Sequence, residues 1–267
     1  TDMDYDVIII LGGDGTIHSI VNILAENDLF DKPICHLPCG TGNGLSKSLH
    51  FTQYNNNYRD DPKLKFNINV AIDNMLEYNI HQLNVFKVSS SNTDLVDVED
   101  LNKYGFLSMT WGLFSNIDIK TEWLRRLGPI RNTLGAVWEI IKKESYYGEF
   151  SYKKNDGTWI TIGDNFHYFT ASNVSHICED VFINKDIKMN DGLFHIGFLR
   201  GKTSRWNILK LLLSFESGTC DKYIETIKTT HFRLKIKSGI VVLDGEKIND
   251  AYREFDVQIL DKQISVF

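Results

Sequence analysis

Two glycine-rich turns, each set between an apolar run and a helical pattern, constrain the first fifty residues more than any other feature. Val7-Ile8-Ile9-Ile10 leads into Leu11-Gly12-Gly13-Asp14-Gly15-Thr16, and Ile34-Cys35-His36-Leu37 leads into Pro38-Cys39-Gly40-Thr41-Gly42-Asn43-Gly44. After the first turn, Ile17, Ile20, Val21 and Leu24 fall at i, i+3, i+4 and i+7, one apolar helical stripe. Strand, turn and helix, twice over, predict an α/β layer. The strands are apolar throughout rather than alternating, as in a parallel sheet covered on both faces. Both turns then lie at the carboxyl ends of strands, where open α/β sheets bind ligands. Glycine lets a backbone approach a ligand closely, and a helix N-terminus points unpaired N–H groups at an anion. A pair of such turns, with an acid inside the first, points to a nucleotide-using phosphotransferase.

Composition narrows the class. A length of 267 residues accommodates two domains, and 42% hydrophobic residues suit a soluble globular protein with a sizeable core. No apolar run reaches the roughly 18–20 residues that span a bilayer. Thr1-Asp2-Met3-Asp4-Tyr5-Asp6 is acidic, resembles no signal peptide and reads as entering a domain part-way. A net charge of −6 argues against non-specific nucleic-acid binding. The four cysteines, Cys35, Cys39, Cys178 and Cys220, lack zinc-site spacing and read as buried free thiols in a reducing compartment, hence cytoplasmic.

Further along, residues 52–66 are polar and asparagine-rich, a loop, and Asn67–Asn79 reads as a helix. From about His81 the pattern turns to strands: His81–Ser89, Tyr104–Gly112, and a pair, Glu149–Lys153 and Thr158–Ile162, around the hairpin signal Asn155-Asp156-Gly157. Ser89–Asn102 reads as a polar, acidic excursion. Phe232, Leu234 and Ile236 alternate with charged residues, as do Phe255, Val257 and Ile259, which marks half-buried antiparallel strands. Helical stretches are expected at Glu122–Leu127, at Asn132–Lys143 beyond the breaker Gly128-Pro129, and at Trp206–Glu216. An α/β unit over residues 1–80 followed by a mainly β unit over 81–267 is the expected division.

Several groups could carry chemistry. Asp14 could take a hydroxyl proton or help hold Mg²⁺, or it could cap its own helix. Thr41 and Asn43 offer side-chain donors beside the backbone, or helix caps. Arg125, Arg126 and Arg131 bracket Gly128-Pro129 and match phosphate geometry, although a solvated basic face has the same composition. Leu243-Asp244-Gly245-Glu246 reads first as a β-turn. His18, His36 and His176 are isolated, with no zinc helix and no Gly-x-Ser-x-Gly elbow. Trp138 and the leucines at 209–213 read as core, or as the lining of an acyl-chain pocket.

Taken in order, GGDGT at 12–16, LPCGTGNGLSKSL at 37–49, TWGLFSNIDIKTEWLRRLGPIRNTLG at 110–135, NDGLFHI at 190–196 and VLDGEKI at 242–248 resemble the sphingosine (sphingoid long-chain-base) kinases of the diacylglycerol-kinase-like superfamily. The resemblance implies an α/β nucleotide-binding domain, incomplete because a first strand and nucleotide loop should precede Thr1. It also implies an antiparallel β-sandwich that binds lipid, and a site in the cleft between them. The implied reaction is transfer of the ATP γ-phosphate to the primary hydroxyl of a sphingoid base, with Mg²⁺. Asp14 matches the catalytic base. Gly13, Gly15, Thr16, Gly40, Thr41, Gly42, Asn43, Arg125, Arg131, Asp244, Gly245 and Glu246 match nucleotide-binding positions, Asp244 and Glu246 also the metal site. Ser108, Asp118 and Glu122 match the substrate site, where Asp118 would hold the cationic amino alcohol. The chain departs from the family at Ser19, where a glutamate is common, and at Asn116, where some members carry aspartate. Expected partners are the lipid substrate and a membrane surface engaged peripherally, with a homodimer left open. Ceramide, diacylglycerol or NAD as acceptor, and an inactive lipid-binding domain, remain alternatives.

Overall fold

The structure, a computed structural model, describes residues 6–40, 42–54, 68–90, 99–121, 130–178 and 180–267. The chain opens as expected: β1 (Ile8–Gly12), α1 (Asp14–Glu26), β2 (Ile34–Pro38) and α2 (Gly44–Tyr54), followed by α3 (Ile68–Leu76). β1 and β2 pair in parallel, Ile8 opposite Ile34 through Gly12 opposite Pro38, so the two glycine turns leave the sheet side by side. The stripe on α1 is buried at Ile17, Val21 and Leu24. β1 departs from the expectation of a strand covered on both faces. Ile10 is buried, whereas Ile9 and Leu11 are 55% and 65% exposed. Among the described residues, β1 ends the strand order beside β2.

The remainder is mainly β: β3 (His81–Ser90), β4 (Leu101–Gly105), β5 (Ser108–Gly112), β6 (Tyr146–Lys153), β7 (Trp159–Ser172), β8 (His176–Cys178), β9 (Val181–Phe182), β10 (Phe194–Arg200), β11 (Glu225–Thr229), β12 (His231–Ile236), β13 (Val241–Leu243), β14 (Glu246–Lys247) and β15 (Glu254–Val266). Helices α4 (Leu113–Lys120), α5 (Ile130–Lys142) and α6 (Arg205–Ser214) interrupt the strands. The Asn155-Asp156-Gly157 signal is a hairpin between β6 and β7, with Gly157 in the left-handed region at φ 85° and the Asp156 carboxylate accepting from Thr158. The alternating segments are β12 and the first half of β15, whose apolar sides join Phe150, Trp111, Phe169 and Phe198 in the sandwich core. The helix expected at Glu122–Leu127 lies outside the described residues, as do most of the 52–66 loop and the centre of the 89–102 excursion.

Strand β15 passes from the sandwich into the first layer. Its first half pairs with β12 and β3; after an irregularity between Ile259 and Gln263, Val266 pairs with Ile34 of β2. Ile264 and Val266 are buried with Ile10, Ile17, Val21, Ile34 and Leu45. The core expected of residues 1–80 is thus completed from the far end of the sequence, and one continuous 13-stranded sheet crosses the expected division.

Candidate active site

The two glycine turns touch. A Cβ on Gly40 would lie 2.5 Å from the Gly13 Cα, so these positions admit no side chain without separating the turns. Asn43 closes the second turn from within, its Nδ2 donating to the Gly40 carbonyl at 2.7 Å while Oδ1 accepts from the Gly40 N–H at 3.1 Å. Asn43 is itself in the left-handed region at φ 47°, which asparagine tolerates better than most residues. The expectation that its side chain reaches a nucleotide is corrected to this extent: the amide is engaged with its own turn.

Asp14 is the first residue of α1, yet it caps α2. Its Oδ2 accepts the Gly44 N–H at 2.7 Å and its Oδ1 the Leu45 N–H at 3.2 Å, which satisfies two of the open donors at that helix N-terminus. Burial pushes the Asp14 carboxyl up to about 6; the two backbone hydrogen bonds pull it back down, and the charge of Asp244 adds to the rise. A carboxylate titrating there suits general-base work near neutral pH. Gly42 lies against it, since a Cβ there would sit 3.2 Å from Asp14 Oδ2.

Behind the turns, His36 on β2 fixes both. Its Nε2 lies 2.9 Å from the Gly12 carbonyl, which can only accept, so Nε2 carries the proton and Nδ1 accepts from Ser46 Oγ at 2.5 Å. Burial pushes the His36 pKa down and keeps the ring neutral. Ser46 belongs to α2, so this one imidazole ties the helix that holds Asp14 to the turn that carries it. Sequence reasoning left His36 as an isolated histidine; only its place beside the second turn hinted at the role.

Asp244 is buried in a turn. It sits at φ 50° with Gly245 at φ 89°, the Asp-Gly turn that joins β13 to β14. Its carboxylate is buried. Oδ1 accepts the N–H groups of Leu107 and Ser108, each at 2.9 Å, and Oδ2 accepts the Phe106 N–H at 3.0 Å and faces His18 Nδ1 at 2.9 Å. Asn22 packs beside the ring, its Nδ2 donating to the His18 and Tyr104 carbonyls at 2.8 Å each and its Oδ1 accepting from the Tyr104 N–H. Asp244 is thus engaged by three backbone N–H groups and faces a histidine. It is the anchor of the β4–β5 turn. Glu246, two residues on, is exposed and lies against Gly15, where a Cβ would meet its Oε1 at 2.8 Å. Among the described residues, no cluster of three or more His, Cys, Asp or Glu side chains could hold a metal.

On the other side, Ser108 starts β5, buried with its backbone locked to Asp244 in both directions. β5 runs through Gly112, at φ 86°, into α4, which carries Asp118 at partial exposure. The Cys178 thiol on β8 feels both acids. Burial is the main cause that raises it to about 12, and the charges of Asp180, Asp14 and Asp118 add to the rise. Asp14 and Asp118 thus both act electrostatically on this one thiol. Asn116 faces away from them, donating to Glu139 at 2.9 Å and to Tyr146 at 3.0 Å. Lys120 joins this network through Glu144 at 2.7 Å and Glu139 at 3.4 Å, and so braces α4 on α5 and β6. Thr16 is exposed at the start of α1. Thr41, Glu122 and Arg125 lie outside the described residues, as does the side chain of Arg131 in α5.

Residues 1–88 match the diacylglycerol kinase catalytic domain. Sphingosine kinase 1 of Homo sapiens is 26% identical over 284 residues, covering 91% of this chain and 71% of that protein. The chain is an ATP-dependent lipid kinase. Sphingoid long chain base kinase 5 of Saccharomyces cerevisiae is 32% identical over 54% of this chain and 20% of its own length. In fold, the kinase is similar to the crystal structure of a diacylglycerol kinase from Bacillus anthracis str. Sterne, with a TM-score of 0.62 at 14% identity over 98% of this chain and 75% of that one.

Other expectations for the kinase are refined. The cysteines are all free, and Cys35 and Cys220 are buried as expected, but Cys39 in the second turn is exposed. Trp138 is not core: it is 54% exposed, and Leu213 is 59% exposed.

Proposed function

We propose that this kinase phosphorylates the primary hydroxyl of a sphingoid long-chain base, giving the 1-phosphate. The observation that supports the reading is a pair of carboxylates suited to separate tasks. Asp14 is raised towards neutrality and clamped on α2; Asp118, on α4, acts with it on the Cys178 thiol. A substrate that carries both a hydroxyl and an ammonium group uses both acids. A neutral lipid gains nothing from Asp118.

In this reading the hydroxyl approaches Asp14 from the side not occupied by Gly44 and Leu45. Its proton passes to the free lone pair of the carboxylate as the oxygen bonds to the γ-phosphorus. The bond to the β-phosphate oxygen breaks, and ADP leaves. The touching glycine turns present backbone N–H groups to the phosphates, and holding both partners in line supplies most of the rate. Mg²⁺ would arrive with the nucleotide, neutralising its phosphates, with Glu246 as its protein carboxylate; a cation carried on phosphates needs one or two such ligands.

Peripheral membrane contact completes the proposal. Among the described residues no helix is long and apolar enough to cross a membrane. On α5, Leu134, Val137, Trp138 and Ile141 are spaced i, i+3, i+4 and i+7, and each is about half exposed. Lys142 lies over the Trp138 ring at 5.2 Å, and Lys210 lies over exposed Trp206 of α6 at 5.7 Å. An apolar stripe edged by tryptophan and lysine fits a lipid surface, the lysines favouring anionic headgroups locally.

The test is radiolabelled ATP with a lipid panel and the full-length protein. Label in sphingosine, dihydrosphingosine or phytosphingosine supports the reading. Label confined to diacylglycerol or ceramide overturns it.

A further inference from the structure

A groove of about 430 Å³ lies between α6 and the paired strands β10 and β11, and it shares no lining residue with the site built around Asp14. Its volume is that of a small-ligand pocket. Asn207 and Lys210 line it from α6, and Lys222 and Tyr223 from the residues that lead into β11.

The charge of the groove is unbalanced. Arg200 and Glu225 also line it, but they cancel: the guanidinium Nε donates to Glu225 Oε1 at 2.7 Å and Nη2 to Oε2 at 3.1 Å. Lys210 and Lys222 have no carboxylate partner among the described residues, and Lys210 lies over the Trp206 ring at 5.7 Å. The Asn207 amide and the Tyr223 hydroxyl likewise have no hydrogen-bond partner among those residues. A single lysine on a surface is ordinarily just solvated. Here two uncompensated ammonium groups share one concavity with an amide and a phenol, on a chain whose net charge is −6.

That donor set matches a phosphate monoester. Near neutral pH such a group carries about −1.5 to −2 charges and three acceptor oxygens. Two ammonium groups balance it through charge-assisted hydrogen bonds, and the amide and phenol serve the remaining lone pairs. A phosphodiester, with a single charge, leaves one lysine uncompensated.

The surroundings indicate what carries the phosphate. On α6, Trp206, Lys210 and Leu213 fall at i, i+4 and i+7; Trp206 is 62% exposed and Leu213 nearly as much, while Ile208 and Leu211 behind them are buried. Arg205 donates from Nε and Nη2 to the Ile141 carbonyl at 3.1 and 3.0 Å, which fastens the start of α6 to the last turn of α5. Helix α6 thus connects the groove to the exposed stripe of α5. A free anion in the groove leaves Trp206 and Leu213 in water, whereas an anion on a lipid brings acyl chains to cover them. We propose that this groove binds the phosphate monoester headgroup of a membrane lipid, with Lys210 and Lys222 on the phosphate and Trp206 and Leu213 in the lipid layer beside it. This inference rests on the peripheral membrane contact proposed above.

The test is sedimentation of the full-length protein with phosphatidylcholine vesicles that contain phosphatidic acid, a monoester, or phosphatidylglycerol, a diester, at equal surface charge. The wild type is expected to bind the phosphatidic acid vesicles about fivefold or more tightly than the phosphatidylglycerol ones. Lys210→Gln combined with Lys222→Gln should abolish that preference with an unchanged unfolding midpoint, and the corresponding pair of arginine substitutions should keep it. Trp138→Ala combined with Ile141→Ala should weaken binding to both vesicles and leave the preference intact. Equal binding of the wild type to both vesicles overturns the inference, as does a preference that survives the glutamine pair; either result leaves the α5 contact standing. Glycerol 3-phosphate that binds as tightly without vesicles as phosphatidic acid does within them gives the groove to a soluble anion and overturns the lipid source. A wild type that binds neither vesicle overturns this inference and the membrane contact together.

Discussion

The Asp14 carboxylate accepts the Gly44 N–H at 2.7 Å, so the acid in the first glycine turn is held by the helix that follows the second. Asp14 and both glycine turns are therefore one mechanical unit, and a shift of α2 is a shift of Asp14.

Asp14 makes stability and activity move in opposite directions with pH. Its folded pKa, about 6, lies above the ordinary 3.8, so the fold binds the proton more tightly than the unfolded chain does. That contribution is full below pH 3.8 and is lost as pH rises through about 6. Asp14→Asn should therefore raise the urea midpoint at pH 7.5, by up to about 3 kcal/mol at 1.36 kcal/mol per pKa unit. The gain should vanish near pH 4. Turnover by the same variant should fall about 10²–10⁴-fold. In the wild type, kcat/KM should climb with pH through about 6 and then level off. A variant that keeps its activity removes Asp14 from the chemistry.

Asp244 and Glu246 should separate cleanly. Asp244→Asn puts an amide where three backbone N–H groups and a histidine converge, and should cost about 2–3 kcal/mol in denaturant unfolding. The Mg²⁺ concentration for half-maximal rate should not move in whatever fraction folds. Glu246→Gln should leave unfolding nearly unchanged and raise that concentration several-fold. The reverse pattern would return Asp244 to the metal.

Much of this was legible locally. Both βα units, the Asn155-Asp156-Gly157 hairpin and the Asp244-Gly245 turn follow from backbone rules that act over a few residues. What was hidden depends on distance in sequence. Nothing near His36 says that it will bridge Gly12 and Ser46, and nothing near Asp244 announces the amides of Phe106, Leu107 and Ser108, 136–138 residues away. A cap on its own helix was the alternative reading of Asp14; it caps another because the parallel register of β1 and β2 sets the turns side by side. Trp138 misled because an amphipathic stripe has the same pattern whether protein or lipid covers it.

Asp118→Asn keeps the size and removes the charge. Turnover of a sphingoid base should fall by two orders of magnitude or more, since an interaction with a desolvated ammonium is lost, while ATP binding measured by fluorescence titration persists. Turnover at the wild-type rate would end the case for amine recognition.

Lys120 bridges Glu139 and Glu144 in the brace under α4, where Lys142 also reaches Glu144 at 3.2 Å. Burial opposes its charge, but Glu144 and Glu139 outweigh burial and raise its pKa. Lys120→Met leaves Glu139 buried without that cation and should cost about 3 kcal/mol. Because α4 carries Asp118, the KM for the base should rise while the KM for ATP holds.

Vesicle sedimentation tests α5. Trp138→Ala combined with Ile141→Ala should weaken binding to anionic vesicles about tenfold or more, at about 0.8 kcal/mol per methylene withdrawn from lipid. Binding that is unaffected places the membrane contact elsewhere.

The passage of β15 into the first layer has a consequence for how the molecule is made. Val266 must find Ile34 across more than two hundred residues of intervening chain. During synthesis, β1 and β2 leave the ribosome early and wait, their shared core open, until the sandwich has been made and its last strand arrives. Pairings of such long range close slowly and expose strand edges meanwhile. The layer of β1 and β2 is translated before the sandwich and finished after it, and a chaperone that shields β2 would have its work at that interval.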